Sequence, residues 1–151
     1  MQLTRAADYA VRVMIHLAGM APGTRASRAE LAEAAGCPEQ FLSKVLQNLT
    51  KRGLVLSRRG NTGGFELPPA HRSATMLEIM EAVEGPVRLN QCLDPDHPCH
   101  RQSWCPGHTV WVKAQTAMFD VLRAARIDAL AKQVTGVTNI EPAGAAPERD
   151  S

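Results

Sequence analysis

Residues 27–67 read SRAELAEAAGCPEQFLSKVLQNLTKRGLVLSRRGNTGGFEL, and this stretch decides the fold. Ser27 and Glu30 have the spacing of a capping box, in which the serine hydroxyl accepts from the Glu30 amide while the glutamate reaches back. Leu31, Ala32 and Ala35 give that helix a buried side, and Gly36 permits a left-handed stop. Pro38 suits the first position of a second helix, which runs to about Arg52 and ends before Gly53. On this helix Phe41, Leu42, Val45, Leu46 and Leu49 are expected to face inward, and Gln40, Ser43, Lys44, Gln47 and Lys51 outward. A short helix, a one-glycine turn and a longer helix in series form the arrangement of a helix-turn-helix. Residues 54–57 then read as a short strand, 58–64 as a turn with three glycines, and 65–67 as the return strand. A β-hairpin directly after a helix-turn-helix is a wing. Its tip carries Arg58, Arg59 and Asn61, and arginine gains from the strong negative potential of a narrow minor groove. A plain solvated hairpin is the alternative for the wing alone; the helices before it favour a winged helix.

Working outward, residues 4–19 read as an amphipathic helix capped by Thr4, with Ala7, Ala10, Val11, Met14, Leu17 and Ala18 on one stripe. Residues 20–25 are a loop around Pro22 and Gly23. Thr75 and Glu78 make a second capping box, opening a helix to about Glu84 that Gly85-Pro86 stops. Residues 86–106 hold four prolines and form a long irregular loop, which in a compact domain is usually functional or disordered. A long helix follows to about Arg126, with Val110, Trp111, Ala114, Met118, Val121, Leu122 and Ala125 on a broad apolar face. The winged helix already closes a small domain, so this face calls for a partner, and a second copy of the chain is the simplest one; packing back on its own domain is the alternative. Asp128 is expected to cap one further short turn.

The expected fold is therefore mainly α with a small β-hairpin wing, a winged helix-turn-helix plus a long dimerisation helix. Residues 1–84 form the DNA-binding domain, 85–106 a cysteine-rich loop and 107–134 the dimerisation helix region. Residues 135–151, small, polar and rich in Pro and Gly, are expected to be a disordered tail.

Composition agrees. The chain has 151 residues, 44% hydrophobic and 21% charged, and a net charge of +2 that hides an asymmetry. Residues 1–72 carry ten Lys/Arg against five Asp/Glu, whereas residues 73–151 carry seven against ten. The split suggests that only the basic half meets a polyanion, double-stranded DNA by the winged-helix reading; a chance imbalance on a solvated surface is the alternative from charge alone. The chain lacks an apolar run of membrane-span length and a signal-peptide pattern, so a cytoplasmic location is the expectation. A nucleophile–base–orienter set and an enzyme-type phosphate loop are likewise missing from the pattern, and no enzymatic activity is expected.

Three of the four cysteines, Cys92, Cys99 and Cys105, fall in the proline-rich loop, and in a reducing compartment such a cluster points to metal more than to disulfides. The spacing lacks the paired cysteines of zinc ribbons and the run of bacterial ferredoxins. Three soft thiolates on an irregular loop suit an iron–sulfur cluster, while disulfide exchange or loose zinc binding would use the same residues. A fourth ligand has two principal candidates. His108 lies three residues past Cys105, where a solvent-facing helix residue is the structural alternative. Asp8 lies in the first helix, where pairing with Arg12 one turn on is the structural alternative. His97 and His100 are lesser candidates, and Cys37 reads as a bystander.

Together these pieces resemble the iron–sulfur winged-helix transcription regulators of the IscR/NsrR/RirA family. The resemblance is carried by Met1-Gln2-Leu3-Thr4, Asp8-Tyr9-Ala10-Val11-Arg12, Leu54-Val55, the wing run from Arg59 to Leu67 and the cysteine triplet, and it covers roughly residues 1–133. It implies a homodimeric regulator whose recognition helix enters the major groove and whose wing enters the minor groove. By position, Pro38, Gln40, Phe41, Ser43 and Lys44 would lie at the DNA-reading end of the helix, with Arg59 the wing arginine. Cys92, Cys99 and Cys105 would hold a cluster whose state changes operator affinity. IscR-like members use a histidine shortly after the third cysteine and hold [2Fe–2S], which His108 matches. NsrR-like members use an acidic residue from the partner's first helix and hold [4Fe–4S], which Asp8 matches. The first cysteine interval is a residue longer here than in many members. The alternatives are a thiol- or zinc-switched regulator without a cluster and, further off, an iron–sulfur electron carrier.

Overall fold

The computed structural model describes residues 3–136. Six helices and one hairpin follow in the order α1 (Arg5–Gly19), α2 (Arg28–Ala35), α3 (Glu39–Lys51), β1 (Leu56–Arg58), β2 (Gly64–Glu66), α4 (Met76–Glu84), α5 (Pro106–Ala124) and α6 (Ile127–Gly136). Both capping boxes form with their reciprocal bonds, Ser27 with Glu30 and Thr75 with Glu78, so α2 and α4 begin where local chemistry starts them. Gly36 ends α2 in the left-handed conformation at φ +67°.

The core is built on α1, which packs against α2, α3, α4 and α6. Met14, Leu31, Leu42, Leu46, Ile79 and Ile127 are among its fully buried side chains. Arg72 ties the end of α1 down, donating from Nη2 to the carbonyls of Ala18 (2.7 Å) and Met20 (2.9 Å). The two strands pair antiparallel, Leu56 with Glu66 and Arg58 with Gly64. Ala26, just before α2, adds a bridge to Phe65 through bonds of 3.0 and 2.8 Å, so the wing is stitched to the helix-turn-helix.

Several expectations shift. The first strand starts at Leu56 rather than at 54, because Leu54 and Val55 are buried in the core and only the following residues pair. The return strand likewise ends at Glu66, and Leu67 is buried. Pro38 is the cap of α3 rather than its first residue; its carbonyl accepts from the Phe41 and Leu42 amides at 3.1 Å. Phe41 does not face inward: it is 44% exposed and meets Tyr9 edge-on, with ring centroids 5.6 Å apart. The single turn expected at Asp128 is the ten-residue α6, whose Ile127 and Ala131 are buried and which packs on α1. The expected tail lies, from residue 137 on, outside the described residues.

The long helix α5 buries none of its residues fully, and Val110, Trp111, Val112 and Val121 are exposed. It is held at its far end, where the Met76 amide donates to Ala125 at 2.9 Å and the Ile127 amide to Ala74 at 3.0 Å. Among the described residues no helix is long and apolar enough to cross a membrane.

Candidate nucleic-acid interface and metal centre

The expected reading face combines the start of α3 with the wing. Pro38, Gln40, Phe41 and Lys44 are exposed there, and Ser43 is half-buried. The Ser43 hydroxyl donates to the Glu39 carbonyl at 3.2 Å and accepts from Arg28 Nη1 at 3.4 Å. Arg58, Arg59 and Asn61 are all exposed at the wing. The wing's position depends on residues that periodicity did not single out. Arg25 donates to the Thr62 carbonyl at 2.9 Å and pairs with Glu66 at 3.3 Å, clamping the hairpin to the loop before α2. A side chain at Gly64, where φ is +138°, would place its Cβ 2.7 Å from the Ala26 carbonyl oxygen. Only glycine lets these two backbones approach, which explains its place in the wing run.

The cysteine loop leaves α4 and joins α5. A 3-10 turn over Gln91–Leu93 carries Cys92 and packs on α5. The Leu89 amide donates to Gln115 Oε1 of α5 at 2.9 Å. Cys92 and Cys99 line one cleft of about 480 Å³ with Asn90, Gln91, His97 and His100. Cys105 stands apart from that cleft as the cap residue of α5, its side chain unused for capping. All four cysteines are free thiols and half-buried. Among the described residues no group of three or more His, Cys, Asp or Glu is drawn together closely enough to hold a metal ion.

The donors nonetheless suit a cluster chemically. The three loop thiols are uncommitted, and His108 Nδ1 is shielded from water without a hydrogen-bond partner, an arrangement that is costly unless something else meets it. A Cβ at Gly107 would touch Cys105 Sγ at 3.7 Å and Trp111 Nε1 at 3.9 Å, so the first turn of α5 leaves just enough room beside that thiol. The other candidates are occupied differently. Asp8 is 53% exposed and pairs with Arg12 at 2.8 Å, and Arg12 also donates to the Ala35 carbonyl at 3.2 Å. His97 Nδ1 faces Asp94 at 3.2 Å. The Asp96 amide and the His97 ring hold the Asp94 carboxyl below the usual carboxylate range. Burial pushes the Cys37 thiol up despite Arg12 nearby.

Comparison with known proteins agrees with this architecture. The Rrf2 family profile, described as an iron-dependent transcriptional regulator, matches residues 3–133. The chain is 36% identical over 134 residues to protein aau3 of Rhizobium meliloti, covering 87% of this chain and 86% of that one. It is 30% identical over 138 residues to the transcriptional repressor NsrR of Streptomyces coelicolor, covering 90% and 92%. Among solved structures, CymR of B. subtilis, titled a global cysteine regulator, superposes with a TM-score of 0.68 at 26% identity, over 88% of this chain and 98% of that one. The relatives with an assigned role are named as regulators, not enzymes. The chain belongs to the Rrf2 family of winged-helix, DNA-binding transcriptional regulators.

Proposed function

We propose that the protein acts as a homodimer whose operator affinity is switched by an iron–sulfur cluster held through Cys92, Cys99 and Cys105, with His108 as the fourth ligand. One observation carries this reading: the loop bearing three free thiols runs directly into the cap of α5, where His108 offers a shielded, unpartnered ring nitrogen. Such a cluster, in either the [2Fe–2S] or the [4Fe–4S] form, supplies a removable crosslink sensitive to oxidant, nitric oxide or iron supply. Asp8 of a second copy is the competing ligand. It would first have to leave Arg12, which favours His108.

The chain's own residues then transmit the state of the loop. Gln115 holds the loop's first residues against the middle of α5, and the Met76–Ala125 bond fixes the end of α5 to the start of α4. α4 in turn packs on α1 and α3. Gathering or freeing the thiols therefore changes the seat of α5 relative to the DNA-reading unit. The exposed apolar residues of α5 are the surface for the second copy, and a two-fold dimer reads paired half-sites. A coupling of about 1–3 kcal/mol is enough for a 5–150-fold change in affinity.

A thiol-switched regulator is the second reading, favoured by the cysteines not being drawn into one ligating group among the described residues; a zinc switch would use the same thiols but needs them gathered as a cluster does. Purification without air, followed by an absorption spectrum and analysis for iron, acid-labile sulfide and zinc, separates the two. Coloured protein with iron and sulfide supports the cluster; colourless protein with zinc or with neither refutes it. Operator affinity is then compared for loaded and cluster-free protein at one salt concentration, and equal affinities would remove the switch.

A further inference from the structure

A groove of about 450 Å³ runs between α3 and the wing. Its walls include Arg28, Ser43, Gln47, Lys51, Ser57 and Arg59, and no carboxylate lines it. Three cations thus enter one groove from three elements: Arg28 from the first residue of α2, Lys51 from the last of α3, and Arg59 from the wing. Hydroxyl and amide groups stand between them. Of these the sequence pattern singled out only Ser43 and Arg59 as DNA-reading residues and placed Gln47 and Lys51 simply on the outward side of the helix. Arg28 is the exception among the cations, because its Nε is bonded to Glu39 Oε1 at 2.7 Å and its Nη1 to Ser43. Both partners of this pair are about half exposed, at 52% and 46%, and such pairs contribute little.

We infer that this groove is a seat for the DNA phosphate backbone, in which Glu39 occupies Arg28 in the free protein and yields it to phosphate on binding. The inference rests on the DNA-binding reading above and adds to it two phosphate-binding residues, Arg28 and Lys51, and one internal competitor. Three converging donors beside polar groups match phosphate oxygens, and bidentate arginine suits them especially. The exchange is cheap because an exposed pair is traded for a charge-assisted hydrogen bond. Glu39, once released, turns to solvent, so its whole cost to binding is the pair with Arg28 that has to be given up. The competitor therefore restrains sequence-independent affinity, leaving discrimination to the residues at the start of α3.

The test uses the full chain and a labelled DNA duplex of random sequence, with affinity measured by fluorescence anisotropy across a series of salt concentrations. Arg28→Gln and Lys51→Gln are each expected to flatten the slope of log affinity against log salt by about 0.9 for every phosphate the variant no longer neutralises. Glu39→Gln is expected to tighten binding up to about fivefold, the fold-change set by release of an exposed pair. In an Arg28→Gln background, Glu39→Gln should then change nothing. Equal tightening in both backgrounds would overturn the competitor, since Glu39 would be acting as a plain surface charge. Unchanged slopes for Arg28→Gln and Lys51→Gln would overturn the groove, while wild-type binding and an effect of Arg59→Ala would leave the DNA-binding reading intact. Failure of the wild type to bind duplex at low salt would refute both.

Discussion

Gly64→Ala isolates what seats the wing. The new Cβ would stand 2.7 Å from the Ala26 carbonyl oxygen and 3.2 Å from its carbon, both backbone atoms that no rotamer change can move. A non-glycine residue forced into this region of φ costs about 1–3 kcal/mol. Relief comes from peeling β2 away from Ala26, which gives up the 3.0 and 2.8 Å bonds to Phe65 at about 0.5–1.5 kcal/mol each. Peeling caps the loss at about 1–3 kcal/mol, because strain and bonds are alternatives rather than additive. For a domain of this size that corresponds to a fall in melting temperature of about 2–12 °C. The wing then loses the seat that holds Arg59 in one groove with α3, so duplex affinity is expected to fall as well. Gly60→Ala is the control: its φ is +105°, but a Cβ there meets nothing within 4 Å, so it carries conformational strain without a clash. Thermal melts and duplex anisotropy on both variants decide the matter. If Gly64→Ala matches Gly60→Ala in both measurements, close approach to Ala26 does not hold the wing.

Other consequences are open to measurement. His108→Ala should shift or abolish the absorption spectrum of anaerobically isolated protein, and Asp8→Ala should leave it unchanged; the reverse pattern would transfer the ligand role to Asp8. Arg72→Ala should lower stability by about 1–3 kcal/mol, seen in denaturant titration, since it removes the charged donor from two carbonyls at the end of α1. Gln115→Ala should leave the fold in place but shrink the affinity difference between loaded and cluster-free protein, because the loop is no longer tied to the middle of α5. The Ser27 amide and hydroxyl hold the Glu30 carboxyl below its usual range, and Arg126 does the same for Asp128. A depressed carboxyl contributes stability that is complete above its unfolded-state pKa and is lost as pH falls through its folded-state value. Melting temperature should accordingly fall on the acid side, and the fall should be shallower for Glu30→Gln.

What could be read ahead of the structure follows the range of the interactions involved. The capping boxes at Ser27 and Thr75 depend on partners three residues away, and both appear as expected. Strand edges depend on partners across the hairpin. The apolar run 54–57 therefore divides between core, at Leu54 and Val55, and pairing, from Leu56 onward. Phe41 follows the helical period that predicts burial, yet Tyr9 of α1 covers it only edge-on and leaves it on the reading face. In α6, Ile127, Leu130 and Ala131 carry helical spacing, but so short a segment shows its inward side only once α1 is there to receive it. Arg59 is legible as a wing residue and Lys51 as an outward one, but their convergence with Arg28 is not: Arg28 lies far from both in the chain, and the stitch between Ala26 and Phe65 holds the wing beside the start of α2. The cysteine loop has no period at all, and residue types together with the family resemblance nominated its ligands. What distinguishes His108 from Asp8 is whether each side chain already has a partner. Asp8 has Arg12, whereas His108 Nδ1 has none, and that contrast depends on packing at the first turn of α5 that no spacing rule encodes.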